Sequence, residues 1–121
     1  GANGFRFVPK KQTDAVAAIR LAAQDAMNGR PMFEGPVAIE FRAEIPIPNS
    51  FSKRKHYNAL LGLIWPTKKP DLKNLAALAE DAMKTVVYSD DNLVCRHSSV
   101  KVFGGQPKII ITVSSLAGKA A

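Results

Sequence analysis

The chain has 121 residues, of which 46% are hydrophobic and 22% are charged, a composition typical of a globular protein. No apolar run reaches the roughly 18 residues that a membrane span needs, and no apolar signal segment is evident. Cys95 is the only cysteine, which excludes an intrachain disulfide. We therefore expect a single domain over residues 1–121 in a reducing cytoplasm, with no membrane contact. Residues 1–4 read as a cloning remnant or a frayed start, and residues 116–121 as a loose tail.

The net charge of +7 is concentrated in one short part of the chain. Residues 51–70 carry five basic and no acidic residues, whereas the segments before and after each carry six basic and five acidic ones. The five are Lys53, Arg54, Lys55, Lys68 and Lys69. Such a run is usually a solvated loop. We favour the alternative, a site for the phosphates of a polyanion, because an acidic cluster begins directly after it at Asp71.

Before this segment, the sequence predicts a strand, a helix and a second strand. Phe5 to Val8 reads as a short strand, and Thr13 as the N-cap of a helix that ends at Asn28-Gly29. The packing face of this helix is Ala15, Val16, Ile19, Ala22, Ala23, Ala26 and Met27. Strict alternation over residues 36–46 then predicts a half-buried strand. Its inner face is Val37, Ile39, Phe41, Ala43 and Ile45.

A short helix is predicted inside the basic segment. Ser52 is a good N-cap for a helix over residues 53–62, which would align Lys53 and Arg54 along the path of a phosphate backbone, together with His56 and Tyr57. Phe51 is the better candidate for a wedge between bases. We interpret Trp65 as a core or interface aromatic rather than as a base-stacking platform.

The next helix begins near Pro70, whose fixed φ suits a first turn, with Asp71 in that turn near the positive end of the helix dipole. Its predicted core face is Leu72, Leu75, Ala76, Leu78, Ala79, Ala82 and Met83. The opposite face carries Lys73, Asn74, Ala77, Glu80, Asp81 and Lys84. The helix should end near Lys84, and residues 89–92 should form a turn.

Two β-rich segments follow, from Leu93 to Phe103 and from Lys108 to Ser115. With Gly104-Gly105 between them, they read as a hairpin. The predicted order of elements is β-α-β-α-α-β-β, which indicates an α+β fold with a small mixed or antiparallel sheet and helices packed on it.

From about Val8 to about Val113, the sequence resembles the RusA family of bacterial and phage Holliday junction resolvases. The most specific motifs are Lys69-Pro70-Asp71-Leu72-x-Asn74-Leu75, Asp81-Ala82 and Tyr88-Ser89-Asp90-Asp91, and weaker ones are Phe33–Val37 and Ser50–Lys55. The resemblance implies a homodimeric endonuclease that binds four-way DNA junctions and nicks opposed strands. It implies Mg²⁺ as the cofactor, with Mn²⁺ as a substitute, and Asp71, Asp91 and its neighbour Asp90 as the catalytic metal ligands.

Two positions depart from the family pattern Asp-x-Asp-Asn-Leu-x-Lys, because Lys73 and Ala77 stand where the second aspartate and the catalytic lysine belong. An ammonium in place of a carboxylate should weaken the binding of a dication. Lys73 does not replace the missing lysine, since helical side chains lean toward the N-terminus. We therefore expect weak or absent cleavage with DNA binding retained. The alternative is a non-catalytic basic module that binds branched DNA or structured RNA.

Overall fold

The structure, a computed structural model, describes residues 4–9 and 15–116, so the predicted cap Thr13 lies outside the described residues. The described elements confirm the α+β class, with three helices and one sheet of four strands. They are, in chain order, β1 (Gly4–Phe7), α1 (Ala15–Met27), β2 (Val37–Pro46), α2 (Lys53–Leu60), α3 (Leu72–Met83), a one-turn 3₁₀ helix (Asp91–Leu93), β3 (Val94–Gly104) and β4 (Lys108–Ser115).

The predicted hairpin of β3 and β4 is wrong. The order of strands is β1-β4-β2-β3, so that β2 lies between the two segments, parallel to β3 and antiparallel to β4. Strands two places apart in a sheet are separated by about 10 Å, which the residues between Gly104 and Lys108 span easily. The local turn signal was correct, but it does not determine which strand lies between the two arms.

Gly104 allows the end of β3 to lie close to β2. A Cβ atom on Gly104 would be only 3.0 Å from the Cβ of Glu44 and 2.9 Å from its Oε1. A larger residue here would therefore require the side chain of Glu44 to shift where the chain crosses from β3 to β4. This close contact explains a glycine that the sequence alone suggested only as part of a turn.

The hydrophobic core lies between one face of the sheet and helices α1 and α3. Val37, Ile39, Phe41 and Ala43 are each at most 1% exposed, which confirms the alternation predicted for β2. From α3, Ala76, Ala79, Ala82 and Met83 are buried against them. Leu78, expected in the core, is 40% exposed, because it lies at the margin of the apolar stripe.

Arg20 of α1 fixes the C-terminal end of α3. Its guanidinium donates hydrogen bonds to the carbonyl oxygens of Ala82 at 3.4 Å and Lys84 at 3.2 Å, and to the hydroxyl of Thr85 at 3.1 Å. These carbonyls have no partner within the helix, so the cation satisfies them and complements the negative end of the helix dipole. The α1–α3 layer is thereby held over the sheet.

The two described ends of the chain are attached to the sheet. Gly4 pairs with Ser114 in β1 instead of belonging to a frayed start. Leu116 donates its N–H to the carbonyl oxygen of Pro36 at 2.8 Å, and the other residues of the predicted tail, 117–121, lie outside the described residues. Within the two described ranges, none of the helices is both long and apolar enough to cross a membrane.

Candidate nucleic-acid interface and acidic turn

The first turn of α2 carries three consecutive cations, Lys53, Arg54 and Lys55, all exposed. As predicted, Ser52 is the N-cap, and its hydroxyl accepts a hydrogen bond of 3.2 Å from the N–H of Lys55. Cations in a first turn oppose the helix dipole and cost helix stability. Here they add to the positive end of that dipole, which produces a strongly positive potential at the start of α2.

Phe51 anchors this end of α2 to strand β3. Its ring meets Phe103 edge-on at a centroid distance of 5.6 Å, and the ammonium of Lys55 lies 4.2 Å from its centre. A half-buried ring with both contacts is well suited to hold the helix in place. The structure thus gives Phe51 an anchoring environment, and its use as a wedge stays a prediction.

Lys101 anchors the second basic segment to the same strand. Its ammonium donates hydrogen bonds to the carbonyl oxygens of Lys68 at 2.7 Å and Pro70 at 2.9 Å. Lys68 and Lys69 are exposed there. Since residues 101 and 103 are two apart in β3, they lie on one face of the strand. One face of β3 therefore contacts both basic segments. We call the five cations of these segments the basic surface (Lys53, Arg54, Lys55, Lys68 and Lys69).

Asp71 is the N-cap of α3, which begins at Leu72 rather than at Pro70, so that Asp71 precedes the first turn instead of lying within it. Its Oδ1 accepts a hydrogen bond of 3.2 Å from the N–H of Asn74. The cap stabilises the helix start and leaves the second carboxylate oxygen exposed. Asp71 therefore has a complete structural role whether or not it binds a metal ion.

The acidic turn is organised around the buried Tyr88. Its hydroxyl donates a hydrogen bond of 2.8 Å to the backbone carbonyl oxygen of Glu80 on α3. Burial raises the pKa of Tyr88, and the negative charges of Glu80, Asp91 and Asp81 raise it further. Asp91 thus acts on the same ring as the two acidic residues in the second half of α3.

Asp90 is the N-cap of the 3₁₀ turn and accepts a hydrogen bond of 2.9 Å from the N–H of Asn92. Among residues 4–9 and 15–116, no group of three or more His, Cys, Asp or Glu is arranged to hold a metal ion. Two of the three predicted ligands are used as caps, and the exposed Lys73 and Ala77 supply no carboxylate to α3. The described side chains do not form a complete Mg²⁺ site.

Sequence reasoning missed a chain of polar contacts between α3 and β3. The Nδ1 of His97 lies 3.1 Å from Oε2 of Glu80, and its Nε2 lies 3.2 Å from Oγ of Ser99. Residues 97, 99 and 101 lie on the same face of β3 because side chains alternate along a strand. This spacing is the feature of the sequence that indicates the proximity of His97 and Ser99. The contact with Glu80 depends on how α3 packs beside β3, which no local pattern encodes.

The chain is similar to known proteins over most of its length. A family model described as Endodeoxyribonuclease RusA matches residues 2–114, nearly the whole chain. The chain is also similar to the uncharacterized protein YqaN of Bacillus subtilis (strain 168), with 31% identity over 96 residues, which cover 76% of this chain and 68% of that protein. The family match includes both basic segments, the start of α3 and the acidic turn.

Proposed function

We propose that this chain, which belongs to the RusA family of endodeoxyribonucleases, binds four-way DNA junctions through the basic surface. The family implies Holliday junction resolvase activity in general. For this chain we propose junction binding with strongly impaired metal-dependent cleavage. A single domain over residues 1–121 in the cytoplasm remains our expectation.

The attachment of both basic segments to β3 is the observation that carries the proposal. Lys101 and Phe103, on one face of β3, contact the two segments that carry the five cations, so both basic segments are attached to the same strand. DNA backbones are bound mainly by such arrays of lysine and arginine, with release of counterions. A rigid array suits the fixed phosphate spacing of a folded junction better than a mobile loop would.

The proposed impairment follows from the charges at the start of α3. RusA resolvases generally depend on a divalent metal ion. A carboxylate at position 73 would bind that ion, and a cation at position 77 would stabilise negative charge in the transition state. This chain has Lys73 and Ala77 at these positions. Lys73 also repels the dication. We therefore propose that Asp71, Asp90 and Asp91 bind Mg²⁺ or Mn²⁺ poorly.

A non-catalytic role in binding branched DNA or structured RNA is the second candidate. It is favoured by the use of Asp71 and Asp90 as helix caps, which gives these residues a purpose without a metal ion. In both candidate functions the basic surface binds the nucleic acid. The two differ in whether the chain has a metal-dependent cleavage site.

We also propose that the chain acts as a C₂ homodimer, because a four-way junction offers strands related by two-fold symmetry. The surface that supports a second copy is the apolar segment from Tyr57 to Trp65. Its exposed residues are Tyr57, Leu60, Leu61, Leu63 and Trp65, which are between 51% and 69% exposed. Exposed apolar patches of this kind mark interaction sites, and a dimer would cover the patch on each copy.

Light scattering tests the dimer and should give twice the 13.1 kDa chain mass. The double variant Leu63→Asp with Trp65→Asp should be a monomer. A monomeric parent protein would contradict the dimer.

Calorimetry with Mg²⁺ alone, combined with junction binding in a chelating buffer, tests the two candidates. Impaired resolvase chemistry predicts tight, metal-independent junction binding and no saturable Mg²⁺ site until the carboxylate at position 73 is restored. A non-catalytic module predicts that restoring this carboxylate changes nothing. Saturable Mg²⁺ binding by the parent protein would contradict the proposed impairment.

A further inference from the structure

Three side chains of α3 and β3 form a chain of hydrogen-bonding groups. The carboxylate of Glu80 contacts Nδ1 of His97 at 3.1 Å, and Nε2 of the same ring contacts the hydroxyl oxygen of Ser99 at 3.2 Å. The side chains of Glu80 and His97 are 27% and 23% exposed, and Ser99 is an exposed residue. The oxygen at the outer end of the chain is therefore open to a ligand.

The order of these groups determines which atom can accept a proton. When Nδ1 donates its hydrogen to the Glu80 carboxylate, Nε2 carries the lone pair and accepts the hydrogen of Ser99. A carboxylate, an imidazole and a hydroxyl in this order are the arrangement that activates a serine as a nucleophile, and it is recognised by geometry rather than by sequence position.

The surroundings of Ser99 favour an anionic substrate. Lys101 follows on the same face of β3 and holds the backbone of Lys68 to Pro70 beside it. Residues two apart in a strand are separated by about 7 Å, so Ser99 adjoins the basic surface. A phosphodiester bound by these cations would lie beside the strand that carries Ser99, whereas a neutral ester would gain nothing from the cations.

We propose that Ser99, activated by His97 and oriented through Glu80, is a nucleophile toward phosphorus, with a DNA phosphodiester as its substrate class. Ser99 Oγ forms a bond to phosphorus while its proton passes to Nε2 of His97. The bond from phosphorus to the leaving deoxyribose oxygen breaks, and this oxygen takes the proton from Nε2. Water then attacks phosphorus of the intermediate that links Ser99 to the DNA end, and its proton passes to Nε2 of His97. The P–Oγ bond breaks as Oγ takes that proton, which restores the Ser99 hydroxyl and leaves a terminal phosphate on the DNA.

This route needs only water and uses none of Asp71, Asp90 and Asp91. Only the choice of DNA as the substrate class rests on the proposed function. The reactivity of Ser99 toward phosphorus stands independently of it and can be measured without DNA.

The test is labelling of the full chain by a fluorophosphonate probe, in which the P–Oγ bond forms as fluoride leaves, followed by mass spectrometry of the peptide that contains Ser99. The parent protein should be labelled at Ser99, and Ser99→Ala should abolish that label. His97→Gln and Glu80→Gln should each slow labelling, with about a 100-fold loss for the base. Ser98→Ala, on the opposite face of the same strand, is the matched control and should label like the parent.

Absence of a Ser99 label on the parent protein overturns the inference, as does a labelling rate that neither His97→Gln nor Glu80→Gln reduces. Junction binding measured on the same preparation separates the two proposals. Binding without a Ser99 label retains the proposed function and rejects the nucleophile. A Ser99 label without any preference for junctions retains the nucleophile and rejects the proposed function.

Discussion

The ammonium group of Lys101 on β3 donates a hydrogen bond of 2.7 Å to the backbone carbonyl oxygen of Lys68, 33 residues earlier in the chain. A second bond of 2.9 Å to Pro70 makes Lys101 a clamp for the segment that leads into α3. This cation contacts backbone oxygens rather than a carboxylate. The effect of Lys101 on the structure therefore depends on the position of its N–H donors as well as on its charge.

We expect Lys101→Met to weaken junction binding and to lower the free energy of unfolding by about 1–3 kcal/mol, because two carbonyl oxygens lose a charged donor. Lys108→Met is the matched control, since it removes the same charge from an exposed site at the start of β4. Urea unfolding and fluorescence anisotropy check both effects. Equal behaviour of the two variants would show that only the charge of Lys101 matters.

The pKa of Tyr88 predicts how stability responds to alkaline pH. Burial and nearby negative charges raise this pKa in the folded protein above the value of about 10 expected in the unfolded chain. Above pH 10 the unfolded state therefore binds fewer protons than the folded state, and the free energy of unfolding must fall as pH rises. Below pH 10 this contribution is fully present. The fall should continue until the pH reaches the raised pKa of the folded state.

Tyr88→Phe should remove this part of the alkaline fall and cost about 1 kcal/mol at neutral pH, because the hydrogen bond to Glu80 is lost. Tyr57→Phe, at a side chain that is 62% exposed, is the control and should leave the alkaline profile unchanged. Thermal unfolding from pH 8 to pH 11 measures both. An identical profile for Tyr88→Phe and the parent would contradict the assignment.

Two substitutions distinguish the role of Asp71 as the N-cap of α3 from its predicted role as a metal ligand. Asp71→Ala should lower stability by about 1 kcal/mol, because the N-cap of α3 is lost. Asp71→Asn should keep most of the cap, since asparagine is an equally good N-cap residue, while it removes the charge that a metal ion needs. Thermal unfolding measures the cap. A loss for Asp71→Asn as large as that for Asp71→Ala would mean that the charge, rather than the hydrogen bond, stabilises the helix start.

Restoring the family pattern at positions 73 and 77 should restore cleavage. Lys73→Asp should supply a carboxylate and remove a repelling cation, and Ala77→Lys should stabilise negative charge in the transition state. Because metal and lysine act on the same transition state, we expect each single variant to recover little and the double variant to nick a four-way junction in Mg²⁺. Adding Asp71→Asn should abolish that activity. A parent protein whose Mg²⁺-dependent cleavage is as fast as that of the double variant would contradict the proposed defect at positions 73 and 77.

The sequence predicted those features of the fold that depend on local periodicity and capping. The alternation of β2, the cap at Ser52 and the end of α3 near Lys84 all follow from neighbouring residues. The hairpin failed because β2, which is distant in sequence, lies between β3 and β4 and pairs with both.

The same limit applies to the candidate site. Charge counting identified the basic residues, because their clustering is visible in the sequence. The contacts of Lys101 with Lys68 and of Glu80 with His97 were not predictable, because they join segments whose approach is set by tertiary packing.

The most direct test of the central claim compares the affinity of the parent protein for a four-way junction and for a linear duplex of the same arm sequence, by fluorescence anisotropy in a chelating buffer across a salt series. We predict at least about tenfold tighter binding to the junction, with affinity falling steeply as salt increases. Replacing Lys53, Arg54 and Lys55 by glutamine should abolish the preference. Replacing Arg6, Arg96 and Lys108, which lie on the sheet face away from the helices, removes the same charge and should preserve it. Equal affinity for junction and duplex, or equal losses for the two triple variants, would contradict junction recognition by the basic surface.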